Sequence, residues 1–245
     1  MTDTALWQKS AREIVAATQS GDVSAEAAVG ASVARMRQIN PDLNAVVVDL
    51  GDHAVERAAS LDKQRAAGQL CGPLHGVAVT IKINVDQTGH ATSNGVSALQ
   101  HNIAHQDAPI VRNLTDAGAV VIGRTNTPEF SFRADTDNPL HGRTHNPWGR
   151  HVSPGGSSGG AAAAVMAGFG ALAHGNDIGG SLRFPAAATG AVTLKPGLGR
   201  VPAYNPSQTA ERGMLAQSMS VQGLITRSAD DLHLSMPSII ATDIR

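Results

Sequence analysis

Apolar residues recur at helical spacing through the first part of the chain. Leu6, Ile14 and Val15 punctuate residues 5–19, with Gly21 placed to end a helix. Ser24 then precedes a run in which Ala28, Val29, Val33, Met36 and Ile39 repeat on one face, predicting a second, antiparallel helix that stops before Pro41. Residues 44–50 predict a short strand, and 52–67 a third, more polar helix closed by Gly68. After Gly72-Pro73 the composition shifts to Val, Thr and Ile over residues 77–85, which predicts a strand interrupted at Lys82. Residues 107–117 predict a helix and 119–123 a buried strand, while Thr127-Pro128-Glu129 has the order of a helix start, with Thr127 at the cap.

Residues 138–160 are rich in Asn, Pro, Gly and Ser and predict a long structured loop, of the kind that tends to carry function. A helix over 161–167 follows, with its amino end at 157–160, then a strand over 171–174, a glycine-rich loop over 176–185 and a strand over 192–194. Residues 195–212 are dominated by Gly, Pro and polar side chains, and 228–236 predict a capped helix stopped by Pro237. Alternating strands and helices of this kind build layered α/β sheets. The expected organisation is one domain over residues 1–245, with an N-terminal helical region at 1–68 and a catalytic core region at 69–236.

Composition narrows the picture. The 245 residues are 42% hydrophobic but only 3% aromatic, so the core has to be built from Ala, Val, Leu and Ile. The formal charge is -1 and neither sign is gathered into a block, which argues against nucleic-acid binding. Cys71 is the only cysteine, so no internal disulfide forms and a reducing compartment is the expected setting. Without a leader-like start or an apolar run long enough to cross a bilayer, the expectation is a soluble, cytoplasmic protein with no membrane partner.

Three features bear on chemistry. Lys82 near the end of an apolar strand is either a snorkelling side chain or a buried functional amine. The clusters Gly155-Gly156-Ser157-Ser158-Gly159-Gly160 and Asp177-Ile178-Gly179-Gly180-Ser181 are either tight turns or loops whose amides converge on an oxygen that becomes negative. A nucleophile elbow centred on Ser157 or Ser158 lacks its preceding strand. Phosphate-loop and dinucleotide fingerprints are incomplete, and His101 with His105 and His141 with His145 lack the Glu of a zinc helix, so no metal is expected.

Taken together, these segments resemble the amidase signature family. The match is carried by residues 153–160, by 177–185 and by Leu194-Lys195-Pro196, with supporting stretches at 40–45, 72–76 and 118–126. The resemblance implies an α/β fold with a mixed central sheet covered by helices on both sides. It also implies a Ser-cisSer-Lys triad of Ser181 as nucleophile, Ser157 as bridge and Lys82 as final proton acceptor. The backbone amides of Ile178, Gly179, Gly180 and Ser181 would form the oxyanion hole, with Ser158, Asp177 and Arg183 in support. No cofactor is implied, and the partner is a small-molecule amide.

The sequence departs from the family's pattern at Ile83, where Asp commonly follows the lysine, at Asn176, where Thr is common, and at Thr193, where Gly is common. Typical members also continue further, so the sheet is expected to be incomplete at its C-terminal side, which admits a homodimer. Two other functions fit the same resemblance: the glutaminase-like subunit of a tRNA-dependent amidotransferase, and an inactive fragment acting as a scaffold.

Overall fold

The structure is a computed structural model that describes residues 5–211 and 213–240. Its strands are β1 (Val46–Asp49), β2 (Ala78–Lys82), β3 (Val120–Thr125), β4 (Leu172–Asp177), β5 (Val192–Thr193) and β6 (Val221–Thr226). They form one mixed sheet in the order β1-β3-β2-β4-β6-β5. β2 runs parallel to β3 and β4 at the centre, and the outer pairings are antiparallel. The helices are α1 (Ala11–Ser20), α2 (Ala25–Leu43), α3 (Gly51–Ala66), α4 (Pro109–Asp116), α5 (Gly159–Met166), α6 (Arg183–Thr189), α7 (Met214–Met219) and α8 (Ala229–Ile239).

The alternation of side chains along β2 divides the core. Val79 and Ile81 pack with residues of α1, α4 and α8, whereas Ala78 packs with α2, α3 and α5. Ala161, Ala162 and Val165 of α5 complete a third cluster with Ala173 and Ile225. Every residue from Gly159 to Val165 is buried, and side chains this small let the helix axis lie close on the sheet. That arrangement explains how a core with so few aromatics is filled. Lys82 ends β2 on the side that faces the start of α5. Among the described residues no helix is long and apolar enough to cross a membrane.

Several expectations fail for identifiable reasons. α1 begins at Ala11, because Ser10 and Glu13 form a reciprocal capping box; residues 6–8 make only a 3₁₀ turn. α2 continues through Pro41 to Leu43. Asn40 holds this last turn to β1: its Oδ1 accepts from the amides of Ala45 and Val46, both at 2.9 Å, and its Nδ2 donates to Val46 O at 2.7 Å. α8 likewise passes Pro237, drawn on by Ile239, which is fully buried in the core. The helix expected at Thr127 is a single 3₁₀ turn, Glu129–Ser131, preceded by Pro128. The Thr127 hydroxyl donates instead to Ser157 O at 2.9 Å, and Phe130 and Ser131 adopt positive φ.

Three elements escape the sequence pattern: α6, which starts inside the expected 176–185 loop, α7, and β6. All six residues of β6 are buried, so it lacks the alternation that marks a half-exposed strand.

Candidate active site

The site lies where β2 and β4 end. Residues 126–158 cross above it with no regular element but the 3₁₀ turn Glu129–Ser131, and buried Asn and Thr side chains take up their backbone groups. Asn126 Nδ2 donates to Gly142 O at 2.9 Å, Asn138 Nδ2 to Thr127 O at 2.7 Å and Thr136 Oγ1 to Gly155 O at 2.9 Å. Such side-chain bonds replace the ladders a regular element would supply. They fix the loop that delivers Ser157 and Ser158 to the start of α5. The peptide bond between Gly156 and Ser157 is cis.

Lys82, Ser157 and Ser158 are brought together. Lys82 is fully buried, and its Nζ lies 2.7 Å from Ser157 Oγ, 3.2 Å from Ser158 Oγ and 2.8 Å from Asn176 Oδ1. Burial pushes the lysine well below its ordinary pKa, and the carboxylate of Asp177 only partly opposes the shift. Ile83, beside it, is buried and apolar, so that position supplies no carboxylate.

Ser181 is half-buried and lines a cavity of about 350 Å³ together with Ser157, Asn176, Ile178, Phe130 and Gln222. Its hydroxyl makes no hydrogen bond among the described residues, so the Ser157–Ser181 link is shared access to one cavity and not a closed contact.

Asp177 organises the turn before Ser181. Its carboxylate accepts from the amides of Gly180 at 2.7 Å and Leu182 at 3.1 Å, and from Arg183 Nε and Nη2, both at 3.0 Å. Burial alone would raise the Asp177 pKa, but Arg183 and the backbone amides outweigh it and hold the carboxyl below its ordinary value. The Gly180 amide is therefore already engaged. Of the four amides expected to form an oxyanion hole, those of Ile178, Gly179 and Ser181 have no acceptor among the described residues, whereas Asp177 takes up that of Gly180.

This fold and site place the chain among known proteins. A family profile described as Amidase matches residues 27–245. The chain belongs to the amidase signature family. It is 56% identical over 98% of its length to an indoleacetamide hydrolase of Bradyrhizobium diazoefficiens, covering 46% of that protein. Against an acylamidase of Rhodococcus erythropolis it is 40% identical over 99% of its length, covering 50%. The solved structure of a bacterial aryl acylamidase of the amidase signature family superposes with a TM-score of 0.88 at 34% identity, covering 96% of this chain and 48% of that one. The chain thus spans about half the length of the curated relatives it matches. The α/β fold with a mixed sheet between helices is the amidase signature fold.

Beside the residues that the family resemblance implied, this member's site contains two that sequence reasoning did not assign. Asn176 was visible only as a departure from the family pattern, yet it touches Lys82. Gln222, on the unrecognised β6, accepts from His174 Nε2 at 2.8 Å, while His174 Nδ1 accepts from the Lys82 backbone amide at 3.4 Å. A ring whose Nδ1 accepts must carry its proton on Nε2. Burial, chiefly, brings the His174 pKa down to about 4; Gln222 opposes the shift, and Lys82 and Arg124 add to it. Among the described residues no group of three His, Cys, Asp or Glu could hold a metal, and neither histidine pair forms one.

Proposed function

We propose that this chain carries the nucleophile and proton relay of an amidase that hydrolyses a small carboxamide to a carboxylate and ammonia. The observation that most supports the reading is a fully buried lysine in 2.7 Å contact with Ser157, on a cavity that Ser181 also lines. An amine in that setting favours its neutral form and can accept a proton, which a solvated lysine at neutral pH cannot.

Ser181 Oγ attacks the carbonyl carbon while its proton passes to Ser157 and that of Ser157 passes to Lys82. The negative oxygen of the tetrahedral intermediate is met by the amides of Ile178, Gly179 and Ser181. The C–N bond then breaks, the leaving nitrogen takes the proton back through Ser157, and ammonia departs. Water attacks the Ser181 ester by the same relay, and cleavage of the ester bond returns the hydroxyl. Ser158 supports Lys82, and Asp177 with Arg183 holds the turn that carries the nucleophile.

Phe130 and Ile178 give the cavity apolar walls, and the relative at 56% identity is named for indoleacetamide; indoleacetamide is therefore the first amide to assay. The direct test is a fluorophosphonate probe with the labelled residue mapped by mass spectrometry. Labelling at Ser181 in the folded chain, with ammonia released from indoleacetamide, is the expected result. Labelling elsewhere, or equally fast labelling of the unfolded chain, would overturn the reading.

A further inference from the structure

Asn176 meets the proton relay at three points. Its side-chain Oδ1 lies 2.8 Å from Lys82 Nζ, its backbone carbonyl accepts from Ser158 Oγ at 3.4 Å, and its backbone amide donates to Ser158 Oγ at 3.4 Å. The donors and acceptors can be assigned from these contacts. A neutral lysine amine has two N–H bonds and one lone pair. A carboxamide oxygen only accepts, so one N–H goes to Asn176. Ser158 has given its single proton to the Asn176 carbonyl, so it can meet Lys82 at 3.2 Å only as an acceptor, which uses the second N–H. The lone pair remains for Ser157, at 2.7 Å.

We infer that Asn176 is a positioning residue that aims the lone pair of Lys82 at the Ser157 hydroxyl and so sets the direction of proton flow. The inference rests on the proposed amidase chemistry and adds to it a residue outside the triad. A threonine hydroxyl at this position could donate to the amine as well as accept from it, leaving two candidates for one lone pair; the carboxamide oxygen removes that ambiguity. The charged group that acts on the amine is Asp177 on β4, paired to Arg183, while His174 on β4 feels the charges of Lys82 and of Arg124 on β3. Ser157 and Ser158 at the start of α5 bring no charge. A substitution at residue 176 therefore changes the lysine's surroundings without altering another charge.

The test measures the rate of Ser181 labelling by a fluorophosphonate against pH in the unsubstituted chain, Asn176→Asp and Asn176→Ala, beside ¹⁵N NMR titration of the lysine amines. The chain holds four lysines, so Lys82 can be assigned by its loss in Lys82→Met. Asn176→Asp places an anion against the amine, and its acid limb is expected to move up by about one pH unit or more, with roughly tenfold slower labelling at neutral pH. Asn176→Ala removes an acceptor that favours the ammonium; its limb is expected to move down while its plateau falls about tenfold. Opposite shifts of limb and Lys82 titration are a signature that a merely structural residue would not produce. Limbs and Lys82 titrations unchanged in both folded variants would overturn the role of Asn176. An unsubstituted chain that does not label would count against the amidase reading alone, because the NMR titration still decides the Asn176–Lys82 coupling. If Asn176→Asp does not fold, the Ala variant carries the test.

Discussion

The two glycine-rich segments look alike as sequence and differ in space. In the first, residues 154–160 are all buried, and its glycines are pressed against other chain segments. A Cβ on Gly156 would sit 2.3 Å from Arg133 O, and one on Gly160 would sit 2.6 Å from the Asn126 amide. In the second, Gly179 is exposed and a Cβ there would meet nothing within 4 Å, while Gly180 needs glycine for its φ of +117°. The first set of glycines lets backbones touch, and it seats Ser157 and Ser158 against Lys82 in a buried interior. The second leaves open space in front of amides that have no partner, where a substrate can approach. Rigidity belongs to the half that buries the amine, and openness to the half that, on the proposed chemistry, would meet the ligand.

The comparison can be broken first at its rigid end. Gly156→Ala is expected to destabilise the chain by about 3 kcal/mol, read from denaturant melts, because the clash is with backbone that cannot step aside. Next, Lys82→Ala should slow Ser181 labelling by about a thousandfold or more while circular dichroism stays native; retention of most reactivity would remove the reason for the buried segment. A third measurement concerns pH. His174 has a folded value of about 4, below its ordinary 6.5, so the unfolded chain binds the proton first. Its contribution is whole above pH 6.5 and shrinks as pH falls toward 4, by at most about 3 kcal/mol. His174→Gln should flatten that slope in urea melts at a series of pH values, and an unchanged slope would assign the sensitivity to other groups. The smallest effect is expected at the open end, where Gly179→Ala should leave stability within about 0.5 kcal/mol and act on KM for amides instead.

Much of the architecture was legible because local rules and tertiary packing agree. The faces of α1 and α2 follow from periodicity and capping, and the small-residue helix after the double serine was also expected; the Val, Thr and Ile content marked a strand over 77–85, which the structure shortens to Ala78–Lys82. β6 was hidden because burial on both faces erases alternation, and α6 and α7 because their short sequences sit among glycines and polar residues. At the site, the family resemblance pointed to Lys82, Ser157 and Ser158, which the fold brings into contact. It could not show that Asp177 occupies the Gly180 amide, nor that Asn176 reaches a lysine 94 positions earlier. The first is a turn contact three residues apart that depends on the backbone conformation at Gly179 and Gly180, and the second depends on sheet register, which no local pattern encodes.

The central register carries a kinetic consequence. Lys82 meets a serine 75 positions further along the chain, and β2 lies between its parallel neighbours β3 and β4. Loop closure on that scale must precede the reward from contact, so the middle of the sheet belongs among the slow steps of folding. Until it closes, the lysine remains in water and carries its proton. On the proposed chemistry, reactivity at Ser181 would therefore emerge late and together with the last tertiary structure, making its labelling a clock for completion of the fold.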